Sequence, residues 1–185
     1  AFCDQENILL IFDEIQTGMG RTGKLFCYEH FGIEPDIMTL GKGIGGGYPL
    51  SALLAKERLN IFEPGDQGGT YTGQPLAMSV GLAVLEEILK KGLVKRSQAM
   101  GERIQKRLSK LSRQFEIKNI RGMGLLIVFD LIQSNGEEIV NRCLQKGLLV
   151  TSPKEGSIRL MPPLVVAEND NDKLITVLMD VLRKR

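Results

Sequence analysis

A lysine in a glycine-rich stretch is the residue of this sequence best suited to covalent chemistry. Lys42 lies within residues 41–47, GKGIGGG, where five of seven residues are glycine. Glycines carry no Cβ, so the backbone and a bound molecule can approach each other closely. A primary amine in such a setting can form a Schiff base with an aldehyde. On its own, however, a Gly-Lys-Gly sequence is more typical of a surface turn.

A carboxylate 29 positions earlier gives this lysine a chemical partner. Asp13 follows the apolar run 8–12, which predicts a strand buried on both faces, as in a parallel sheet. A second apolar run, 37–40, leads into Lys42, and residues 51–55 predict a third strand. A lysine that bonds an aldehyde and a carboxylate beside a pyridine nitrogen suit pyridoxal 5'-phosphate (PLP) chemistry. An Asp at a strand end is more often a turn residue, so only the combination favours this interpretation.

The same residues could suggest an ATPase, but the pattern does not fit. A P-loop requires a glycine, four residues, then Gly-Lys and Ser or Thr. Here the first glycine position holds Asp36, and Lys42 is followed by Gly43. The strand that would be Walker B also precedes the lysine, which is the reverse of the expected order. The sequence therefore argues against an ATPase.

Composition and charge exclude several other classes. Apolar residues make up 43% and charged residues 25%, which is ordinary for a globular protein. A net charge of +2 with dispersed basic residues argues against nucleic-acid binding. Three widely spaced cysteines and a single histidine predict no metal site. The longest apolar runs are too short for a membrane span, and no signal peptide opens the chain, so we expect a cytoplasmic protein without membrane contact.

The organisation of the chain changes near residue 90. The short strands of the first half predict the end of an α/β layer structure, and a helix begins at Pro75. The second half predicts α+β structure, with helices at 97–113, 137–146 and 170–184 and strands at 124–131, 148–151 and 157–161. We therefore predict two domains, 1–90 and 91–185.

Four segments, in order along essentially the whole chain, resemble the class III (ornithine-type) PLP aminotransferases. Residues 12–23 are similar to the family's Asp-Glu-x-Gln-x-Gly segment, and residues 35–47 to its lysine segment. Residues 68–76 resemble its Thr-aromatic-x-Gly-Asn-Pro-Leu segment, although Gln74 replaces the usual Asn. Residues 158–164 match its C-terminal arginine segment.

This resemblance implies a fold and a set of residue roles. The chain would be the C-terminal part of a fold-type I PLP transferase, with the end of a large PLP-binding domain and a small α+β domain. Lys42 would bond the cofactor and act as base, Asp13 would pair with the pyridinium nitrogen, and Gln16 would hydrogen-bond the phenolic oxygen. Thr70 would reach the partner subunit's PLP phosphate in a homodimer. Arg159 would hold the substrate α-carboxylate in a two-bond fork.

The resemblance also implies an activity, with alternatives. Residues 62–71 look most like members that transfer the amino group of N-acetylornithine to 2-oxoglutarate in arginine biosynthesis. Ornithine, 4-aminobutyrate and diaminobutyrate aminotransferases, aminomutases and racemases remain alternatives, as does a non-catalytic truncated module. Family chains are considerably longer, and their N-terminal half supplies the phosphate loop and the aromatic residue that stacks on the ring. We therefore expect this chain to be a C-terminal fragment that is inactive alone.

Overall fold

The computed structural model describes residues 2–132 and 135–183, which form two compact units. The first unit is built from residues 1–20 and 24–94, and the second from residues 21–23 and 95–185, each in its described part. The short segment 21–23 therefore interrupts the first unit in sequence and contributes to the second. The assignment of residues 1–90 to a PLP-binding domain and 91–185 to a small domain stays a prediction.

A three-stranded sheet forms the framework of the first unit. Its strands are β1, Ile11–Asp13, β2, Ile37–Leu40, and β3, Ala52–Ala55, in the order β1-β2-β3. β1 runs parallel to β2, with Asp13 opposite Thr39, and β3 runs antiparallel to β2. The carboxyl ends of β1 and β2 therefore lie at the same edge of the sheet.

The buried carboxylate of Asp36 links the amino ends of β1 and β2 to the residues that follow β3. Asp36 precedes β2 and accepts hydrogen bonds from the Leu10 backbone N–H at 2.9 Å, Lys56 Nζ at 3.2 Å and Arg58 Nη2 at 2.5 Å. The backbone N–H of Leu10 is the main cause that lowers the pKa of Asp36, and the two cations act in the same direction. Asp36 thus ties the residues that flank all three strands.

β1 is shorter and more exposed than its apolar sequence predicts. Ile8 and Leu9 lie in irregular chain before the strand, and Ile11 is 57% exposed. β1 forms an edge of the sheet, and the described residues of the first unit leave its side chains accessible. The prediction of a strand buried on both faces is therefore wrong for this chain, although the predicted parallel pairing is present.

The helices of the first unit include a short α1, Phe2–Gln5, and a long α2, Pro75–Lys90. Pro75 lies in the first turn of α2, where a backbone N–H is not needed. α2 packs against a 3₁₀ helix at Lys42–Gly45. A Cβ at Gly46 would lie 2.8 Å from the Val84 side chain, so this glycine allows the close approach. Further 3₁₀ helices are Cys27–His30 and Glu57–Leu59.

The second unit combines an antiparallel sheet with three helices around one core. The strands, in sheet order, are β4, Ile117–Met123, β5, Leu126–Leu131, and β6, Ser157–Leu160. The helices are α3, Leu93–Leu111, which belongs to this unit from Lys95 on, α4, Gly136–Gln145, and α5, Glu168–Leu182. All six elements contribute buried apolar side chains to the core, among them Leu108, Ile117, Phe129, Cys143, Ile158 and Leu178.

The strands of this unit differ from the predicted ones in two places. The predicted strand 124–131 begins two residues later, at Leu126, and β4 was not predicted. β4 is mostly exposed, and its apolar residues Ile117, Ile120 and Met123 lie three positions apart, so its sequence shows no alternation typical of a strand. Residues 148–151 form no regular strand, and only Thr151 makes a bridge, to Arg159.

The predicted helices are present with shifted ends. α3 begins four residues before the predicted 97–113 and ends two residues earlier, and α4 is shifted by one residue from 137–146. α5 begins at Glu168 rather than 170, and the predicted end at Lys184 lies outside the described residues.

Residues 2–132 and 135–183 lack two features. No helix in this part of the chain is both long enough and apolar enough to cross a membrane. The same residues contain no cluster of three or more His, Cys, Asp or Glu side chains that could hold a metal ion.

Candidate active site

Lys42 lies directly after the carboxyl end of β2, on an unusual backbone conformation. Its φ of 44° is in the left-handed region, which residues with a Cβ seldom adopt. The segment is held by hydrogen bonds from the backbone N–H of Ile44 to the Gly41 carbonyl and from that of Gly46 to the Gly43 carbonyl. The Lys42 side chain is exposed. The amine is therefore presented to solvent from a fixed backbone.

Asp13 is the last residue of β1 and lies at the same edge of the sheet. Its Oδ1 accepts a hydrogen bond from the Ile15 backbone N–H at 2.9 Å and from the Thr39 hydroxyl at 3.3 Å. Thr39 is paired with Asp13 across the strands and precedes Lys42 by three residues. The structure therefore brings Asp13 and the segment that carries Lys42 together at the carboxyl ends of adjacent parallel strands, where α/β sheets usually bind ligands.

The turn after β1 carries Gln16 and is held by a buried glutamate. Glu14 is 3% exposed, and its Oε2 accepts a hydrogen bond from the Thr17 hydroxyl at 2.5 Å. Its Oε1 accepts a hydrogen bond from the Tyr28 backbone N–H at 2.8 Å. Gln16 is half-buried in this turn. Glu14 thus has a structural role, because it holds the turn. Gln16 lies in this turn, between Glu14 and its partner Thr17.

Thr70 lies in an exposed segment that follows the strands carrying Asp13 and Lys42. Every residue from 61 to 73 is exposed, and Thr70 lies in this segment. The segment contains a turn in which the Thr72 backbone N–H donates to the Gly69 carbonyl. Within the described residues, no hydrogen bond links Thr70 to Asp13 or Lys42.

Arg159 belongs to the second unit, in the middle of β6. Its backbone exchanges hydrogen bonds with Thr151 at 2.7 and 3.3 Å, and its Nε donates to the Thr151 hydroxyl at 3.2 Å. The side chain is half-buried. Among the contacts of the described residues, none engages the two terminal nitrogens of this guanidinium. They are therefore available for the two-bond grip on a carboxylate that the sequence predicts.

Arg21 is a half-buried cation of the second unit whose contacts the sequence did not predict. Its Nη1 donates to the Pro162 carbonyl at 2.5 Å and lies 3.5 Å from the Leu125 carbonyl. Burial lowers the pKa of the Arg21 guanidinium from its usual value. The only sequence signal was an arginine in a loop that contains Gly18, Gly20 and Gly23.

The functional groups at the edge of the first sheet fit PLP in chemical type. Lys42 offers an amine that can bond an aldehyde, and Asp13 a carboxylate that can face a pyridine nitrogen. Gln16 offers an amide that can donate to a phenolic oxygen without a change of charge. The individual roles of these residues stay predictions.

Comparison with known proteins gives consistent matches over almost the whole chain. Residues 1–182 match the family Aminotransferase class-III. An acetylornithine aminotransferase of Caldanaerobacter subterraneus is 45% identical over 181 residues, which are 97% of this chain and 46% of that protein. An acetylornithine aminotransferase of Methanocaldococcus jannaschii is 43% identical over 184 residues, 97% of this chain and 45% of that protein. The chain therefore spans about half the length of these relatives.

Solved structures give the same picture. An acetylornithine aminotransferase from Elizabethkingia anophelis matches with a TM-score of 0.90 at 33% identity, over 97% of this chain and 47% of that one. An ornithine δ-aminotransferase from Plasmodium falciparum matches with a TM-score of 0.90 at 31% identity, over 97% of this chain and 48% of that one.

Proposed function

We propose, because the chain belongs to the class-III aminotransferases, that the whole protein moves an amino group from N-acetylornithine, or a similar ω-amino donor, to 2-oxoglutarate. The family as a whole is PLP-dependent. The observation that carries the proposal is the placement of Asp13 and Lys42 at the carboxyl ends of adjacent parallel strands, with Asp13 linked to Thr39. When bound, PLP supplies an aldehyde for an amine and a ring that accepts the electrons left when a proton leaves the substrate Cα.

The residues of the first unit would hold the cofactor and move the proton. Lys42 Nζ would bond the cofactor and, once released by the substrate amine, take the proton from the substrate Cα. The Asp13 carboxylate would accept a hydrogen bond from the pyridine N–H, while the Ile15 N–H and the Thr39 hydroxyl fix its orientation. The Gln16 amide would donate to the phenolic oxygen.

Arg159 and Thr70 would complete the site in a homodimer. Arg159 would bind the α-carboxylate that N-acetylornithine and 2-oxoglutarate share, and its unengaged terminal nitrogens support this role. Thr70 would reach the cofactor phosphate of the partner subunit, and the exposure of residues 61–73 supports a segment that contacts another chain. Cys3 and Cys143, which form no disulfide within the described residues, support a reducing cytoplasm as its location.

The amino donor is proposed from the relatives. The similar proteins named acetylornithine aminotransferase support N-acetylornithine. Ornithine is the second candidate, because solved ornithine aminotransferases match this chain with TM-scores of 0.90.

Lysine mapping tests the proposed chemistry. The full-length protein is incubated with PLP and reduced with borohydride, and the modified lysine is located by peptide mass spectrometry. We expect one stoichiometric adduct, on Lys42, because Asp13 at the neighbouring strand end would hold the cofactor with its aldehyde near this amine. Lys42→Ala should abolish the adduct and lower amine transfer by at least about 1,000-fold, since the residue is both nucleophile and base.

Lys24→Ala serves as the matched control, because Lys24 is also exposed in the first unit. It should leave both the adduct and the rate unchanged. Rates with N-acetylornithine, ornithine and 4-aminobutyrate then rank the donors. An adduct on another lysine, or one that survives in Lys42→Ala, would rule out the assignment of Lys42.

A further inference from the structure

The residues that follow β6 lead into a turn in which two consecutive residues lack an amide hydrogen. Residues 161–166, which we call the proline turn, contain Pro162 and Pro163. Proline has no backbone N–H, so neither residue can donate to a neighbouring carbonyl. Their carbonyls accept hydrogen bonds instead, that of Pro163 from the Val166 N–H at 3.0 Å and that of Pro162 from Arg21 Nη1 at 2.5 Å.

The backbone of Arg21 is held by two hydrogen bonds. Its own carbonyl accepts hydrogen bonds from the Leu125 backbone N–H at 2.9 Å and from the Ser97 hydroxyl at 3.1 Å. Ser97 is fully buried on α3, and Leu125 lies between β4 and β5. The backbone of Arg21 is therefore held by α3 and by the connection between β4 and β5. Its side chain links these two segments to the proline turn.

The proline turn begins two residues after Arg159 and continues the strand that carries its guanidinium. Leu160 is the last residue of β6 and pairs with Ile127, while Arg159 pairs with Val128. The Nε of Arg159 is held by Thr151, so the direction of its terminal nitrogens depends on the path of β6. Within the described residues, the hydrogen bonds of the Arg21 side chain go to backbone carbonyls and none goes to a carboxylate. Its contacts therefore suit the placement of backbone.

We propose that Arg21 is a positioning residue for carboxylate binding: it holds the proline turn and so keeps the Arg159 guanidinium in place for the substrate carboxylate. This inference rests on the proposed function, because it takes Arg159 as the carboxylate anchor. Arg21 itself does not touch the substrate. Its loss weakens binding of both substrates by the same factor, because both carry the same α-carboxylate.

Binding of glutarate tests this role without turnover. Glutarate is a dicarboxylate with no amino or keto group, and its dissociation constant is measured by calorimetry on the full-length holoenzyme. Arg21→Met removes the donor and keeps the length of the side chain, and it should weaken glutarate binding about tenfold, the effect of one lost hydrogen bond. Arg21→Lys retains one donor and should recover part of this loss. It also replaces the Met variant if that one does not fold.

A double-mutant cycle separates positioning from an independent effect. Arg159→Lys loses the two-bond fork, so adding Arg21→Met to it should weaken binding less than twofold further, because the residue that Arg21 positions is already impaired. Arg103→Met is the matched control, since it removes an arginine of α3 that pairs with exposed Glu168 at 2.8 Å. It should leave the dissociation constant unchanged.

Other outcomes of the binding measurements would reject one or both of the proposed roles. Full additivity of the two substitutions, or an unchanged dissociation constant in Arg21→Met, would overturn the inference. Absence of glutarate binding to the wild type would overturn both the anchor role of Arg159 and the role of Arg21. Failure of the wild type to transfer amines while glutarate binding responds as expected would reject the proposed function and leave the role of Arg21 in carboxylate binding intact.

Discussion

At the scale of single residues, Lys42 combines a reactive side chain with a strained backbone. Left-handed φ values cost residues other than glycine about 1–2 kcal/mol, because the Cβ approaches the following carbonyl oxygen. The conformation persists here because the 3₁₀ helix Lys42–Gly45 is hydrogen-bonded and packed against α2. Strain of this kind is concentrated at functional sites, where the surrounding structure maintains it.

The strain leads to a prediction that compares two substitutions at one position. In the cofactor-free full-length protein, Lys42→Gly should have a free energy of unfolding about 0.5–1 kcal/mol higher than Lys42→Ala, because glycine tolerates a φ of 44°. Urea unfolding followed by circular dichroism measures the difference. At Lys24, which has no left-handed φ, the Ala variant should be the more stable one. An Ala variant at position 42 that equals or exceeds the Gly variant would contradict the strain.

At the scale of elements, a carboxylate joins the three strands of the second sheet. Asp130 on β5 accepts hydrogen bonds from Arg121 Nη2 at 3.1 Å, from the buried Ser157 hydroxyl at 2.7 Å and from Asn119 Nδ2 at 3.1 Å. Arg121, Ser157 and Asn119, in that order of effect, lower the pKa of Asp130 well below its usual range. The sheet thus uses one side chain to link β4, β5 and β6.

This depressed pKa predicts how acid affects the second unit. The stabilisation by Asp130 is fully present above the unfolded-state pKa of about 4 and is lost as the pH falls toward the lower folded-state pKa. Asp130→Asn should lower the free energy of unfolding by about 1–2 kcal/mol at pH 7. The difference from wild type should shrink below pH 4, as measured by urea unfolding at each pH.

Asp172→Asn provides the control for this comparison. Asp172 forms an exposed ion pair with Arg107, so its loss should cost at most about 0.5 kcal/mol. A difference between Asp130→Asn and wild type that stays constant from pH 7 to pH 2 would show that ionisation of Asp130 does not stabilise the fold.

Local patterns predicted some elements of this fold and missed others for physical reasons. The match to class-III aminotransferases and the solved structures confirm the predicted family and mixed α/β class. β2 lies at the predicted residues, because an apolar run between Asp36 and Gly41 has clear limits. β4 was missed, because its apolar residues do not alternate with polar ones. The contact between Arg21 and Pro162 joins residues 141 positions apart, and no local pattern reports it.

At the scale of the whole molecule, glycines allow two distant stretches of chain to build the second unit. A Cβ on Gly124 would lie 2.6 Å from the Arg21 carbonyl oxygen and 2.6 Å from the Thr22 carbonyl carbon. A Cβ on Gly101 of α3 would collide with the Gly124 carbonyl. Segment 21–23, Gly124 and α3 are therefore in backbone contact.

This contact predicts that a normally favourable substitution is harmful. Gly→Ala inside a helix usually stabilises by about 1 kcal/mol, but Gly101→Ala should destabilise the second unit by at least about 1–3 kcal/mol through the collision with Gly124. Cys143 reports on the opening of this unit, because the thiol is fully buried and burial raises its pKa to about 11. The measurement is the urea concentration at which iodoacetamide labels Cys143, located by peptide mass spectrometry.

Gly68→Ala is the matched control. A Cβ at Gly68 meets no atom within 4 Å, and its φ is not left-handed. It should not change the labelling of Cys143. Labelling of Gly101→Ala at the wild-type urea concentration would show that α3 and Gly124 can separate at little cost.

The position of segment 21–23 in the sequence has a consequence for synthesis on the ribosome. All residues of the first unit precede Lys95, so this unit can fold while the second is still being translated. Segment 21–23 emerges early, but its binding partners, α3 and Gly124, are made about 70 to 100 residues later. Until they appear, the backbone groups of Arg21 remain hydrated, and the loop from residue 24 to residue 94 must close before the second unit is complete. The order of segments along the chain thus allows the first unit to fold ahead of the second.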